Sequence, residues 1–268
     1  MQQQTLEVRK WGNSAGILVP REWLGEKVVV TRMPQKPLKE RILGVLAPHL
    51  EHIIGAYLYG SRARGDETID SDIDLFIITD KKIEIKAKGF EIALIEKKEL
   101  PSAFEGMSAL ISYSMLAEAK PIINPELLED LKKVYRPELK NFRVFTENTR
   151  SILNVHKSLL DYDKEEDKTY IDDGPLVYSL ILRLRGVYII KCLLSKKQYR
   201  KRDFDDWVKI SSHIKDYSSV YNLYLAVKNK RKGKQKILLS DLVRLYELLA
   251  RDTSKMEEKL NGKTGKKT

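Results

Sequence analysis

The chain has 268 residues, 42% of them hydrophobic and 32% charged, which leaves room for one large domain or two to three small ones around a real core. Its 49 Lys and Arg against 38 Asp and Glu give a net charge of +11, which suits an anionic partner without choosing among nucleic acid, nucleotide and membrane surface. One cysteine, Cys192, excludes an internal disulfide and a cysteine-rich zinc site. No apolar run reaches the roughly 20 residues of a membrane span, and the first residues lack a signal pattern, so the expectation is a soluble, cytoplasmic protein with no membrane partner.

The first 33 residues read as short strands. Leu6-Glu7-Val8-Arg9 alternates, Gly16-Ile17-Leu18-Val19 follows a Gly/Asn/Ser turn, and Lys27 to Thr31 closes the segment. Pro34 and Pro37 mark a linker. Lys10-Trp11-Gly12-Asn13-Ser14 and Ile17 to Pro20, followed by Val28-Val29-Val30, resemble the AbrB/MazE-type swapped-hairpin barrel. The resemblance implies that residues 1–36 are a dimerisation segment, with a homodimer formed through residues 1–33 because so short a piece cannot bury a core alone. It also implies DNA contacts by Arg9, Lys10 and Arg21. This copy departs from the family in its short stretch after Pro20, where Trp23-Leu24-Gly25 replaces a longer helix-bearing piece, so dimerisation is the function it supports better.

Residues 37–124 alternate helix and strand, as in an α/β or α+β layer. A helical pattern over Leu38 to Leu50 is broken by Pro48. Strands are predicted at Ile53 to Tyr59, Ile73 to Thr79 and Phe90 to Ile95, and a helix at Leu110 to Ala119. Gly60 and Ser61 follow the first strand. A Gly and a Ser there open a helical turn whose free N–H groups suit phosphate, with Gly60 allowing close approach and Ser61 adding a hydroxyl donor. Asp72 and Asp74 stand at positions i and i+2 of the next strand, hence on one face. Two such carboxylates beside a phosphate cradle can hold one or two Mg²⁺ ions, which prefer oxygen ligands shared with substrate phosphates. Glu91, a carboxylate inside an apolar strand, is a candidate third acid and general base; Glu84 competes for that place. Asp66 and Asp70 read as turn residues, and Arg62, ahead of Arg64, as a contact to triphosphate.

Gly60-Ser61, ten intervening residues, then Asp72-x-Asp74, with the turn in the form Gly-Ser-x-Ala-Arg-Gly, resembles the signature of the DNA polymerase β-like nucleotidyltransferase superfamily, nearest its minimal and kanamycin nucleotidyltransferase-like branches. The resemblance covers about residues 38 to 124. It implies Asp72 and Asp74 as metal ligands, Glu91 as third carboxylate, Gly60, Ser61 and Arg62 at the nucleotide, Mg²⁺ as cofactor in a two-metal site, and an NTP, ATP first, as substrate.

Residues 125–260 carry almost no strand signal. Helices are predicted at Pro125 to Tyr135, Lys140 to Tyr162, Leu176 to Leu194, Asp203 to Ile214, Val220 to Lys230 and Leu238 to Leu260, with Gly174-Pro175 and Gly233 as breakers. Residues 261–268 are predicted to be a disordered tail. Lys196-Lys197, Arg200-Lys201-Arg202 and Lys228 to Lys236, with Tyr199, Tyr221 and Tyr224 nearby, form a basic and aromatic set that suits nucleic acid or a solvated surface. Arg183 and Arg185, inside an apolar helix, are candidates for lining a pocket near the nucleotide. Arg150 and His156 show a loose Arg…His pattern like that of HEPN-type ribonucleases.

The fold class expected is therefore α+β: an AbrB-like hairpin segment, a polymerase β-type mixed sheet with helices, and a C-terminal helical bundle that holds the acceptor. The function expected is transfer of an NMP from an NTP to an acceptor hydroxyl of a small molecule, a protein or an RNA end, with loss of pyrophosphate. The alternatives are an AbrB-like DNA-binding regulator with a nucleotide-sensing domain, and an antitoxin-like nucleotidyltransferase that modifies a partner protein.

Overall fold

The computed structural model describes residues 4–12, 14–31, 37–68, 71–231 and 235–262; the expectations for Pro34, Asp70 and Gly233 fall outside them, and of the disordered tail expected over 261–268, Asn261 and Gly262 are helical while the rest falls outside. The chain divides into two units, residues 1–44 and 45–268.

In the first unit β1 (Arg9–Trp11) and β2 (Ser14–Gly16) form an antiparallel hairpin in which Arg9 faces Gly16 and Trp11 faces Ser14. The strand expected over residues 27–31 is not formed. A strand needs a hydrogen-bonded neighbour, and a lone two-stranded hairpin has little to offer one. Val8, Trp11, Leu24 and Val29 stand exposed, Val29 to 94%. Arg9 and Lys10 are adjacent on β1 and therefore point to opposite faces of the hairpin.

Helix α1 (Leu38–Leu46) gives way to a 3₁₀ turn over Ala47–His52, where Pro48 interrupts the α-helical hydrogen bonding. In the second unit the chain then runs β3 (Ile53–Tyr59), α2 (Gly60–Arg64), β4 (Ile73–Thr79), β5 (Phe90–Glu96), α3 (Leu100–Ala103), α4 (Ala109–Glu118) and β6 (Lys120–Ile123). The helical part follows as α5 (Pro125–Val134), α6 (Arg143–Glu165), β7 (Tyr170–Ile171), α7 (Gly174–Leu194), α8 (Lys201–Ser212), α9 (Tyr217–Lys228), β8 (Ile237–Leu238) and α10 (Leu239–Gly262). Each predicted long helix is present with its ends moved by a few residues.

The sheet has the order β5-β4-β3-β6. β3 pairs antiparallel with β4 and β6, whereas β4 and β5 are parallel. β3 and β4 are the central strands, and their near-continuous apolar runs are buried on both faces. β6 is not among the predicted strands; it lies at the sheet edge, pairing with β3 alone, where the missing N–H of Pro121 is tolerated.

The helices share the sheet's core. α7 is the centre of the bundle: Leu176, Val177, Leu180, Leu184, Val187 and Ile190 are all buried, and it packs against α4, α9 and α10. Gly186 lets it approach α6 closely, since a Cβ there would lie 2.4 Å from the Phe145 ring. Asp173 and Asp216 cap α7 and α9 by accepting from Leu176 N–H and Ser219 N–H. Asn124, in the left-handed region at φ 58°, does the same for α5 through Leu127 N–H.

Candidate active site

β3 ends at Tyr59 and turns at once into α2. Gly60 takes φ +71°, a conformation an L-residue with a side chain rarely adopts. The turn needs glycine for space as well: a Cβ on Gly60 would lie 1.9 Å from Asp74 Oδ2. The carboxylate of Asp74 is thus set against bare backbone at the start of α2.

Strand register does the rest. Asp74 on β4 is paired with Tyr59 on β3 and with Glu91 on β5. It is the parallel pairing of β4 and β5 that brings Glu91 to Asp74. Asp72 stands two residues before Asp74, at the mouth of β4, and is exposed. Asp72, Asp74 and Glu91 therefore meet at one end of the sheet, beside Gly60 and Ser61. Glu84 does not join them: it lies on the connection between β4 and β5 and pairs with Lys86, both exposed.

Burial, followed by the like charge of Glu91, pushes the Asp74 carboxyl up to about 6; Arg64 works against the rise and Asp72 adds to it. Burial also raises the Tyr59 hydroxyl, with Asp74 and Glu91 adding to the effect. A cluster of negative charge with this much self-repulsion is suited to a cation. Among the described residues no group of three or more His, Cys, Asp and Glu side chains is placed to hold a metal ion on its own. Asp72, Asp74 and Glu91 line one cleft and offer only oxygen, the donor type of a hard divalent ion that takes its remaining ligands from water and phosphate.

One acid here was not anticipated. Glu118, the last residue of α4, accepts from Gly60 N–H at 3.3 Å and from Arg64 Nη1 at 2.6 Å. Arg64 and Glu118 retain only 9% and 7% side-chain exposure, so this is a buried ion pair. Burial raises the Glu118 carboxyl, and Arg64 opposes the rise. Gly60 N–H, expected to face phosphate, donates instead to a carboxylate.

The two arginines of the turn, both candidates for the triphosphate, have different surroundings. Arg62, expected at the nucleotide, donates instead to Ser71 O at 2.7 Å and Asp72 O at 3.2 Å, fixing the loop that carries Asp72. Arg64 lines the cleft.

The site opens into a cleft of about 920 Å³. Its other wall comes from the helical part and includes Arg183 and Arg185 of α7, as expected, with Lys201, Tyr221, Tyr224 and Lys228. Tyr199 joins the walls: Arg64 and Arg185 each lie 5.3 Å from its ring centroid. The ribonuclease-like pair is not assembled. Arg150 binds Glu257 through two hydrogen bonds, and His156 is buried.

Residues 40–135 match the family model described as "Polymerase beta, Nucleotidyltransferase". Residues 5–33 match one described as "Putative transposon-encoded protein (DUF2080)". No curated protein matches the sequence. Among solved structures, the chain is similar to a spectinomycin adenyltransferase from Enterococcus faecialis in complex with ATP and spectinomycin, at 15% identity and TM-score 0.38, covering 81% of this chain and 97% of that one. It is also similar to a nucleotidyltransferase-like protein from Exiguobacterium sibiricum, at 13% identity and TM-score 0.37, covering 82% and 75%. None of the described helices is long and apolar enough to cross a membrane.

Proposed function

Starting from a chain that carries a polymerase β-type nucleotidyltransferase domain over residues 40–135, we propose that it transfers the AMP moiety of ATP to an acceptor hydroxyl and releases pyrophosphate, with Mg²⁺ held by Asp72, Asp74 and Glu91. The observation that supports this most is the position of Asp74: pressed against the bare backbone of Gly60, paired with Glu91, and raised in pKa by burial and its neighbours.

The chain's own groups divide the work. Ser61 offers its hydroxyl and backbone N–H to the phosphates at the start of α2. Asp72 and Asp74 orient the donor, and Glu91 accepts the proton of the acceptor hydroxyl. Glu118 and Arg64 hold the turn so that Gly60 and Asp74 keep their close approach. A bound divalent ion supplies positive charge to the phosphates and the leaving group, which together with positioning accounts for most of the acceleration in phosphoryl transfer.

The test is Mg²⁺-dependent release of pyrophosphate from ATP in the presence of a cell extract as acceptor source. Asp72→Asn and Asp74→Asn should each abolish it, the first with a melting temperature close to wild type and the second with one equal to or above it, because the asparagine removes a buried like charge. Unchanged release in both variants would remove the assignment.

We further propose that residues 1–33 pair two copies of the chain. The support is the exposure of Val8, Trp11, Leu24 and Val29 on a segment whose described residues form one short hairpin. Light scattering should give twice the chain mass for the full-length protein and the single-chain mass for Trp11→Glu combined with Val29→Glu; equal masses would rule it out.

A further inference from the structure

The two walls of the cleft carry opposite charge. The sheet side presents Asp72, Asp74 and Glu91. The side built from α6 to α9 presents Arg183, Arg185, Lys201 and Lys228 and, among the described residues that line it, no carboxylate. These cations are not equivalent. Arg185 sits next to Tyr199 and within the field of Glu118, close to the nucleotide turn. Lys201 and Lys228 lie farther along this wall, beside and on α9. Lys201 Nζ is 4.1 Å from the centroid of the Tyr221 ring. Tyr221, Tyr224 and Lys228 follow at helical spacing on one face of α9, which places Lys228 about 10 Å beyond Tyr221.

Lys201 is anchored by Asp205 at 2.6 Å, whereas Lys228 has no carboxylate within ion-pairing distance among the described residues. The charge continues onto the surface at both ends of this face, through exposed Arg200 and Arg202 at one and exposed Lys230 and Arg231 at the other. A track of cations along a wall with tyrosines between them is suited to a row of phosphates and unsuited to a cationic acceptor.

We propose that the acceptor bears phosphate, its hydroxyl belonging to a nucleotide or to the 3′ end of a single nucleic-acid strand, and that the α9 wall with Lys201 and Lys228 is its seat. This rests on the nucleotidyltransferase reading above. The acceptor oxygen forms a bond to the α-phosphorus of ATP, the bond from that phosphorus to the oxygen bridging to the β-phosphate breaks, pyrophosphate leaves with that oxygen, and the hydroxyl proton passes to Glu91.

Two measurements on the full chain test it. The first is the anisotropy of a short fluorescein-labelled single-stranded RNA, titrated with protein at several salt concentrations without ATP or Mg²⁺. Lys201→Ala with Lys228→Ala should weaken binding about tenfold and flatten the salt dependence by about 0.7 for each phosphate no longer neutralised. Lys157→Ala with Lys255→Ala, which removes the same charge from residues outside the cleft, should leave both unchanged. The second is transfer of label from α-labelled ATP to the RNA, to adenosine 5′-monophosphate and to spectinomycin. Label on the RNA or on the mononucleotide identifies the source of the phosphate, and the Lys201/Lys228 variant should raise the acceptor KM about tenfold with the ATP KM within about twofold. Label on spectinomycin alone, equal RNA binding in the two double variants, or an effect confined to the ATP KM would each overturn the proposal. RNA binding lost in the Lys201/Lys228 variant, with no pyrophosphate release from any acceptor, would uphold the phosphate-binding wall and overturn the transferase reading instead.

Discussion

Gly60 and Asp74 are separated by so little that a single methyl group on the Gly60 Cα would stand 1.9 Å from Asp74 Oδ2. Close approach and a φ of +71° both demand glycine at this position. Gly60→Ala should therefore do two things. The left-handed conformation alone costs on the order of 1–3 kcal/mol of stability. The displaced carboxylate should lower kcat by about 100-fold or more, since a shift of about 1 Å at a reacting centre has that effect. Pyrophosphate release and thermal melting measure the two parts, and a variant with native activity would show that Asp74 does not need this position.

Glu118 and Arg64 form the buried pair behind the turn, and Glu118 also receives Gly60 N–H. Arg64 also binds Asp66 at 3.2 Å, so removing Glu118 leaves the arginine one carboxylate and leaves Gly60 N–H without its acceptor. Glu118→Ala should thus cost about 1–3 kcal/mol, the usual penalty for a buried polar group left without a partner. Glu118→Gln keeps an oxygen for Gly60 N–H and for Arg64, and should cost less while moving activity more than stability. A double-mutant cycle with Arg64→Ala checks the coupling by denaturant unfolding. Additive losses would mean that the two residues act separately.

How much of this was legible in the sequence follows from the range of each signal. Gly60, Ser61, Asp72 and Asp74 could be read because turn and strand chemistry lie within fifteen residues of each other. Glu91 was readable as a charge in an apolar strand, but its choice over Glu84 depended on the parallel register of β4 and β5, which periodicity does not reveal. Glu118 was invisible for a similar reason. It ends a helix that reads as plain core, and its partners Gly60 and Arg64 are 58 and 54 residues away. Tyr199 between Arg64 and Arg185 is likewise a product of tertiary packing. The different surroundings of Arg62 and Arg64 reflect helical geometry: the two are only two positions apart and leave α2 on different sides, one toward the Ser71 loop and one toward the cleft. The strand expected over residues 27–31 failed because pattern alone does not supply a partner strand.

The Asp74 carboxyl predicts a pH dependence with a definite sign. Burial and Glu91 raise it from 3.8 to about 6, so between those values the folded chain binds a proton that the unfolded chain has already lost. In the absence of divalent ions this group makes the protein less stable as pH rises from about 4 to about 6, and its penalty is then constant above. Asp74→Asn should remove that component of the slope. Mg²⁺ should raise the melting temperature of the wild type more at pH 8 than at pH 5, because only the ionised carboxylates attract it. Melting curves across that range, with and without the ion, decide the matter; a Mg²⁺ shift that is the same at both pH values would exclude Asp74 as a ligand.

Asp216 offers a control with the opposite sign, on the helix that forms the far wall of the cleft. Its carboxylate caps α9 by accepting from Ser219 N–H at 3.1 Å, and the Ser218 hydroxyl donates to it at 2.7 Å. The Ser218 bond first, with those from Ser219, holds the group down to about 2. A depressed acid stabilises the fold above its ordinary value of 3.8 and loses that contribution as pH falls toward 2. Asp216→Ala should therefore cost about 1 kcal/mol at neutral pH, the usual worth of such a cap, and the difference from wild type should shrink as the medium is acidified from pH 5 to pH 2. Because the first turn of α9 lies ahead of Tyr221, Tyr224 and Lys228, fraying there should also loosen the wall they form. The acceptor KM should rise in this variant while the ATP KM stays near wild type. Urea unfolding as a function of pH tests the first part and steady-state kinetics the second; a stability difference that stays constant down to pH 2 would show that the cap is not ionic.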